Sequence, residues 1–257
     1  MKIDWTPLTT ELVLWRRDAL ALPLWWRDDD AIADTPALTR LSALSDETKL
    51  PVHVAVIPDL IEASLPPAIA QNQNLIPVVH GWRHISHAPD GAKNAEFGHL
   101  REGGKGELTQ AYARMTEEFG PALVPLFVPP WNRIAPEFLP HLKAAGYRGL
   151  STYDPRKSVE VAEGVLQINT HIDPIFWRGD RGLVDPETLI ARMVTTLRER
   201  RTGQVDRDEP LGLLTHHLVH TETVWTFSRD VINVLLDGGA APADIGALLQ
   251  ADRKPSI

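Results

Sequence analysis

Residues 22–31 have the sequence LPLWWRDDDA, in which an apolar run ends in three consecutive carboxylates. The apolar run at 22–26 predicts a strand that is buried on both faces, as in a parallel sheet. Neighbouring carboxylates repel each other, so three at the end of a buried strand cost stability unless a cation or hydrogen-bond donors offset the repulsion. Active sites of barrels and open α/β sheets lie at this end of the strands. The stretch therefore indicates a cation site, with a solvated turn that caps the next helix as the alternative.

Short apolar runs alternate with longer helical patterns along most of the chain. This alternation is typical of βαβ units, in which helices join parallel strands. The predicted strands cover residues 22–26, 52–57, 75–79, 124–128, 148–151, 165–168 and 211–214. The predicted helices cover residues 35–45, 60–71, 107–119, 136–145, 186–201 and 222–236. A long loop at 86–106 interrupts the pattern, and long loops inside compact domains are often functional.

The length and composition suit one globular domain. The chain has 257 residues, of which 43% are hydrophobic and 23% are charged. Such a chain can bury a sizeable core, and its length is ordinary for a single α/β barrel. We expect one domain over residues 1–257, with residues 1–20 as an N-terminal extension and residues 238–257 as a C-terminal tail.

The charge and the absence of cysteine narrow the range of partners. A net charge of -8 disfavours nucleic acid and anionic membrane surfaces, so we expect a small molecule or a carbohydrate as substrate. Without cysteine, any metal must be held by histidine and carboxylate. The N-terminus lacks the pattern of a secretory leader, and no apolar stretch approaches the roughly 20 residues of a membrane span, so a cytoplasmic location is expected.

Two histidines follow the third predicted strand, at positions 80 and 84. If the segment turns helically, this spacing places both imidazoles on one face, and Gly81 allows a sharp turn between them. Two histidines with one carboxylate form a common catalytic metal site that leaves a position open for water. A lone histidine is more often structural, but this pair at this position favours a metal site.

Two further segments carry candidate functional side chains. Residues 213–217, LLTHH, place His216 after the last predicted strand, where a histidine suits general acid catalysis or simply ends the strand. Residues 127–133, FVPPWNR, are stiffened by two prolines and offer the ring of Trp131 as a flat surface for a sugar. A rigid turn with a core tryptophan explains the second segment equally well.

Taken in order, these segments resemble the motifs of the polysaccharide deacetylase family, also known as NodB-homology or carbohydrate esterase proteins. The family begins with an Asp-Asp pair, and the R-x-D-D variant makes Asp29 the catalytic base and Asp30 a metal ligand. A pairing of Asp28 with Asp29 is the other register. The family's H-x-x-x-H motif matches His80 and His84 as the remaining metal ligands.

The later motifs match less completely. The third motif, usually R-P-P-aromatic-G, is represented by VPPWN at 128–132, so Val128 replaces the arginine that orients the catalytic base unless Arg27 or Arg133 takes over. The final motif, L-x-x-H, makes His216 the general acid, although His217 fits the same pattern one residue later. Asp173 and Trp177 resemble another motif of the family, which contains Asp and Trp before the last strand.

The resemblance implies a distorted (β/α)7 TIM-like barrel that forms a single catalytic domain. It also implies one divalent metal ion, for which Zn²⁺ is expected, and hydrolysis of an N-acetyl or related acyl group on a sugar or sugar-like substrate. Trp131, Trp82 and Arg133 would line the substrate groove. The alternatives are an amidohydrolase or esterase with a small non-sugar substrate, and a catalytically degenerate barrel that only binds sugar.

Overall fold

A computed structural model describes residues 3–251 of the chain. Its strands are β1 (Leu22–Ala31), β2 (Val52–Val56), β3 (Leu75–His80), β4 (Leu126–Val128), β5 (Gly149–Leu150), β6 (Glu160–Ala162), β7 (Val165–Gln167), β8 (Leu211–Thr215) and β9 (Ala240–Pro242). Its helices are α1 (Thr6–Arg17), α2 (Pro36–Thr48), α3 (Leu65–Ala70), α4 (Gly104–Phe119), α5 (Leu139–Ala145), α6 (Pro186–Arg201), α7 (Glu222–Asp237) and α8 (Ile245–Gln250).

The strands form one sheet in the order β6-β7-β5-β4-β3-β2-β1-β8, with β9 paired to the start of β1. Every pairing is parallel except the hairpin of β6 and β7. Beyond β7 the chain reaches β8, where Ile172 forms a parallel bridge with Leu213 and its N–H donates to the carbonyl oxygen of Gly212 at 3.1 Å. One short bridge thus joins the two sides of the sheet, as expected for a distorted barrel.

The apolar core is divided by the sheet into two layers. Alternate residues of the strands point inward, and they form a cluster that includes Trp25, Val78 and Val128. Ile245 and Leu249 of α8 belong to the same inner cluster, so this helix packs against the interior of the barrel. The larger outer cluster lies between the sheet and the surrounding helices.

The predicted α/β barrel fold is confirmed, and each of the seven predicted strands overlaps an observed one. The helix predicted at 60–71 is correct only in part, because the α-helix covers Leu65–Ala70. Pro66 and Pro67 lie in its first turn, where proline is tolerated, and a proline disfavours helical backbone at the residue before it. A helix that starts at residue 60 would place both prolines in its interior.

The predicted terminal segments contain regular structure that the sequence pattern did not reveal. Most of the predicted N-terminal extension forms α1, where the indole N–H of Trp15 donates to the carbonyl oxygen of Leu197 at 3.2 Å. The predicted tail contains β9 and α8. Residues 1–2 and 252–257 of these two segments lie outside the described residues. Within residues 3–251, no helix is long and apolar enough to cross a membrane.

His53 is a polar residue in the buried strand β2, and it gives the fold a sensitivity to acid. Its Nδ1 lies 3.2 Å from the carbonyl oxygen of Trp26, while its Nε2 has no hydrogen-bond partner in the described chain. Burial lowers the pKa of His53 to about 4 from the value of 6.5 that it has in the unfolded chain. The unfolded state therefore binds the proton more readily, so the stability associated with neutral His53 is present above pH 6.5 and is lost as the pH falls towards 4.

We expect His53→Gln to flatten the acid limb of the stability curve. The difference of about 2.5 pKa units corresponds to a loss on the order of 3 kcal/mol between pH 6.5 and 4 in the unaltered protein. Urea unfolding at several pH values in this window measures the loss, and His87→Gln, at an exposed loop position, is the matched control. Parallel curves for His53→Gln and the unaltered protein would contradict this account.

Candidate metal centre

The three consecutive carboxylates at the end of β1 point into three different environments. The pairing between β1 and β2 shifts register between Asp28 and Ala31, and Asp30 has a φ of 77°. This irregularity ends the strict alternation of side chains along the strand. Asp28, Asp29 and Asp30 therefore make separate contacts and cannot replace one another.

Asp30 converges with the two predicted histidine ligands. Its Oδ1 lies 3.1 Å from Nε2 of His80 and 3.4 Å from Nε2 of His84. One ligand atom from each of the three side chains lies within 4.8 Å of the others. Two imidazoles and one carboxylate are the donor set of many catalytic zinc sites, so these residues suit a divalent metal ion.

The backbone of the neighbouring strand holds the ring of His80 in position. Its Nδ1 lies 3.0 Å from the carbonyl oxygen of Val128 in the neighbouring strand β4, and its side chain is 2% exposed. An Nδ1–H that donates to this carbonyl leaves Nε2, the nitrogen that faces Asp30, to act as the ligand atom once it has lost its proton. The tautomer required of a metal ligand is thus set by the backbone.

The turn between the two histidines is not helical, which corrects the prediction from their spacing. Gly81 and His84 both have positive φ values, 59° and 56°. A Cβ on Gly81 would lie 2.2 Å from Oε2 of Glu96, whose two oxygens accept the N–H groups of Trp82 at 3.0 Å and Arg83 at 2.7 Å. The two imidazoles converge because Glu96, from the long loop, holds this turn, and no motif in the sequence marks Glu96 as a functional residue.

Burial and neighbouring charges shift the pKa values of the three residues in different directions. Burial alone would raise the pKa of Asp30, but the hydrogen bond and charge of His80 outweigh it and hold the pKa well below its usual range. Burial opposes protonation of His80, but the nearby carboxylates Asp29 and Asp30 raise its pKa. The pKa of His84 is lowered by burial and by the adjacent His80.

Asp29 is paired with an arginine from its own strand. Nε of Arg27 donates to Oδ1 of Asp29 at 2.8 Å, and Nη2 donates to Oδ2 at 3.0 Å. Arg27 is fully buried and also donates to Oγ of Ser151 and to Oδ1 of Asn132, both at 2.7 Å. Of the two arginines left open by the sequence, Arg27 is therefore the one that orients Asp29.

Neither Arg133 nor Val128 has this role in the described structure. Nη1 of Arg133 donates to the carbonyl oxygen of Asn94 at 2.7 Å, on the side of the long loop. Val128 belongs to the cluster inside the barrel. An apolar residue at position 128 is compatible with the site because the charge that faces Asp29 comes from β1 instead of β4.

His216 also lies close to Asp29, near the same oxygen that accepts a hydrogen bond from Nη2 of Arg27. Its Nε2 is 3.9 Å from Oδ2 of Asp29, and its ring packs edge-on against Trp177 with ring centroids 4.6 Å apart. The indole N–H of Trp177 donates to Oδ2 of Asp173 at 2.7 Å. Burial raises the pKa of Asp173, although the nearby His216 partly opposes this effect.

Asp28 faces away from the metal centre and binds the end of β8. Its Oδ2 accepts the backbone N–H of His217 at 3.0 Å and the hydroxyl of Thr215, while its Oδ1 is hydrogen-bonded to Nδ1 of His217. Both Asp28 and His217 are almost fully buried. Burial would raise the pKa of Asp28, but the charge of His217 holds it below its usual value. Asp28 was the alternative base or ligand, and His217 was the alternative acid. These two residues are bound to each other instead.

The three residues predicted to bind substrate lie in different surroundings. The ring of Trp131 contacts His84, with centroids 4.2 Å apart, and its φ is 57°. The ring of Trp82 lies under the guanidinium of Arg83, with 5.8 Å from the guanidinium carbon to the ring centroid, and packs against the outer core. Arg133 lines a surface cavity of about 780 Å³ beside the site. Of the three, Trp131 is the one with a described ring contact to the Asp-His-His cluster, through His84.

Comparisons with known proteins support the fold. No protein-family model and no curated protein sequence matches the chain. Several solved structures share its fold, and three of them illustrate the likeness. The T48 deacetylase with substrate is 14% identical with a TM-score of 0.55, and the match covers 93% of this chain and 96% of that one. A family 4 carbohydrate esterase from Streptomyces lividans, in complex with acetate, is 11% identical with a TM-score of 0.53, and the match covers 86% and 92%.

The third structure is a mutant of BA3943, described as a CE4 family pseudoenzyme. It is 14% identical with a TM-score of 0.55, and the match covers 90% of this chain and 68% of that one. At these identities the likeness establishes the fold alone. The chain therefore has the α/β barrel fold of the polysaccharide deacetylases, as the resemblance of its motifs predicted, and combines it with an Asp-His-His cluster suited to a metal ion.

Proposed function

We propose that this protein is a metal-dependent hydrolase that removes an N-acetyl or related acyl group from a sugar or sugar-like substrate. The observation that carries the proposal is the convergence of Asp30, His80 and His84 beside the Arg27–Asp29 pair. Solved proteins of the same fold are described as deacetylases and as carbohydrate esterases, which supports this class of reaction. The bond cleaved would be a non-peptide amide bond.

The metal ion would be held by Asp30, His80 and His84, and the two imidazoles favour Zn²⁺. When bound, it would supply Lewis-acid polarisation of the acyl carbonyl and charge stabilisation in the transition state. The described backbone supports this geometry, since the carbonyl oxygen of Val128 fixes the ring of His80. The remaining steps fall to residues of the chain.

Asp29 would act as the general base. Each oxygen of its carboxylate accepts one hydrogen bond from Arg27, which fixes the orientation of the group. Each carboxylate oxygen has a second lone pair, so Asp29 retains the capacity to accept a proton from a water molecule. Arg27, which is buried, keeps a positive charge next to the base throughout the reaction.

His216 would act as the general acid. Its Nε2 lies 3.9 Å from Asp29, so both groups border the same small space. Trp177 packs against the ring and restricts its orientation. A protonated His216 in this position would donate its proton to the leaving amine as the amide bond breaks. Trp131, next to His84, would provide an apolar surface for the sugar ring.

Acetate release from a panel of substrates tests this function. The purified protein, loaded with Zn²⁺, would be incubated with N-acetyl sugars, short N-acetylated oligosaccharides and simple amides. We expect release from the sugars, loss of activity with a chelator and recovery on addition of Zn²⁺. Preferential release from the simple amides would instead favour the amidohydrolase with a non-sugar substrate.

The degenerate sugar-binding barrel predicts a different result. It would bind no metal on titration and would release no acetate from any member of the panel. The fold is shared with a protein described as a pseudoenzyme, so fold alone does not decide between the two. The buried Arg27–Asp29 pair favours the enzyme, because Arg27 supplies the orienting arginine that the family usually has at the position of Val128.

A further inference from the structure

A cavity of about 780 Å³ opens beside the metal centre. Its size is within the range of about 300–1,000 Å³ that is common for small-molecule sites. Three consecutive residues connect the two places. Trp131 contacts His84, Asn132 accepts a hydrogen bond from Arg27, and Arg133 lines the cavity together with Asn132. Since consecutive Cα atoms are about 3.8 Å apart, the residue that contacts His84 and the residues that line the cavity are neighbours in one short segment.

The charge of the cavity differs from that of the whole protein. Lys93, Arg133 and Lys157 line it, whereas Asp154 is the carboxylate in its lining. The chain as a whole has a net charge of -8. The cavity is therefore a local region of positive charge on an acidic protein.

The three cations are available to a ligand. Lys93 and Lys157 are exposed and Arg133 is half-buried. Within residues 3–251, no carboxylate oxygen lies within 4.0 Å of a side-chain nitrogen of any of the three, so none of them forms an ion pair there. The described hydrogen bond of the Arg133 guanidinium goes to a neutral acceptor, the carbonyl oxygen of Asn94. Each of the three cations thus keeps its charge uncompensated at the wall of one concave site.

This arrangement favours an anionic ligand. Cations that line a cleft focus a positive potential and raise the local concentration of anions. A lysine ammonium and an arginine guanidinium together bind phosphate or carboxylate oxygens through charge-assisted hydrogen bonds. Asn132 also lines the cavity, and its amide NH2 group suits the hydroxyls of a sugar, because its bond from Arg27 uses Oδ1.

We propose that the cavity binds a phosphate or carboxylate substituent of the substrate while the acyl group lies at the metal centre. This inference rests on the proposed function and specifies its substrate class as an acylated sugar that carries a negative charge. Lys93 and Lys157 would contact the oxyanion, and Arg133 would contact it from the side nearer to Trp131.

Binding measurements without turnover test the inference. Calorimetric titrations would use the Asp29→Asn protein and three probes: N-acetylglucosamine, N-acetylglucosamine 1-phosphate and N-acetylmuramic acid. We expect at least one charged sugar to bind about tenfold more tightly than the neutral sugar at low salt, and this advantage to shrink as salt is raised. The charged sugar that is favoured identifies the phosphate or the carboxylate as the ligand. Equal binding of all three probes would overturn the inference.

Variants locate the effect in the cavity. We expect Lys93→Gln combined with Lys157→Gln to remove most of the advantage of the charged sugar while leaving the neutral sugar unchanged. Both lysines are exposed, so the fold should be retained. Lys49→Gln, which removes an exposed lysine just before β2 and outside the cavity lining, is the matched control and should have no effect. The same loss in the control would assign the effect to net charge and overturn the inference.

The outcome separates this inference from the proposed function. Charged sugars that bind through Lys93 and Lys157, with no hydrolysis by the unaltered enzyme, would support the cavity site and contradict the hydrolase. Hydrolysis of neutral N-acetyl sugars with no preference for a charged substituent would support the hydrolase and contradict the cavity site.

Discussion

Replacing His84 with Ala should abolish stoichiometric metal binding and lower acetate release by about 10³-fold or more, since a bound metal contributes several kcal/mol to the transition state. His84 is the more suitable of the two histidines to replace because 24% of its side chain is exposed, whereas His80 is 2% exposed. His80→Ala would also leave the carbonyl oxygen of Val128 without this hydrogen bond, so a loss of stability would accompany the loss of metal. Metal content by elemental analysis and acetate release measure the two effects.

The control for this prediction lies in the same segment of the chain. His87 is exposed three residues beyond His84 and is not part of the Asp-His-His cluster, so His87→Ala should retain metal and activity. A His84→Ala protein that is folded and still binds one metal ion per chain would show that the ligand assignment is wrong.

Asp29→Asn should lower acetate release by about 10²–10⁴-fold while the metal is retained, because the variant lacks a general base but keeps the three ligands. The Asn side chain keeps the shape of the carboxylate and can accept one hydrogen bond from Arg27. Metal content, acetate release and urea unfolding measured on one preparation would separate a catalytic effect from a structural one.

Asp28→Asn is the informative comparison for this variant. It removes the charge that is buried against His217, so we expect it to lower the free energy of unfolding by about 3 kcal/mol. Its loss of activity should follow its loss of stability. If Asp29→Asn stayed active and a folded Asp28→Asn protein were inactive, the base would have to be reassigned by one residue.

Local patterns in the sequence were sufficient to place the parallel strands, whereas the barrel was predicted from the resemblance to the polysaccharide deacetylases. Its parallel strands are short apolar runs, so β2 and β3 could be placed without knowledge of the fold. The helix α1 could not be predicted in this way, because it depends on distant contacts such as the bond from Trp15 to Leu197. β6 was not predicted, because it is only three residues long, has no fully buried residue and pairs with β7 in a hairpin at the edge of the sheet.

The candidate site was predictable in its residues but not in all of its contacts. Residues two apart on a strand share a face, so the alternation of β1 already places Arg27 beside Asp29 and Asp28 on the other side. This signal could have selected Arg27 over Arg133. The position of Asp30 could not be predicted, because it depends on a change of register within β1. Glu96 was also out of reach, since its role depends on how a long loop folds back onto residues 81–83.

The different surroundings of the three aspartates have a consequence for how sequences related to this one should be compared. Deletion of any one of them would leave an Asp-Asp pair that a motif search would still accept. The remaining residues would nevertheless shift by one position, so that a group meant for the interior of the barrel would face His217 instead. In an alignment, a gap within this run is therefore a much more severe change than a substitution at one of its positions, even though the gap preserves the letters of the motif.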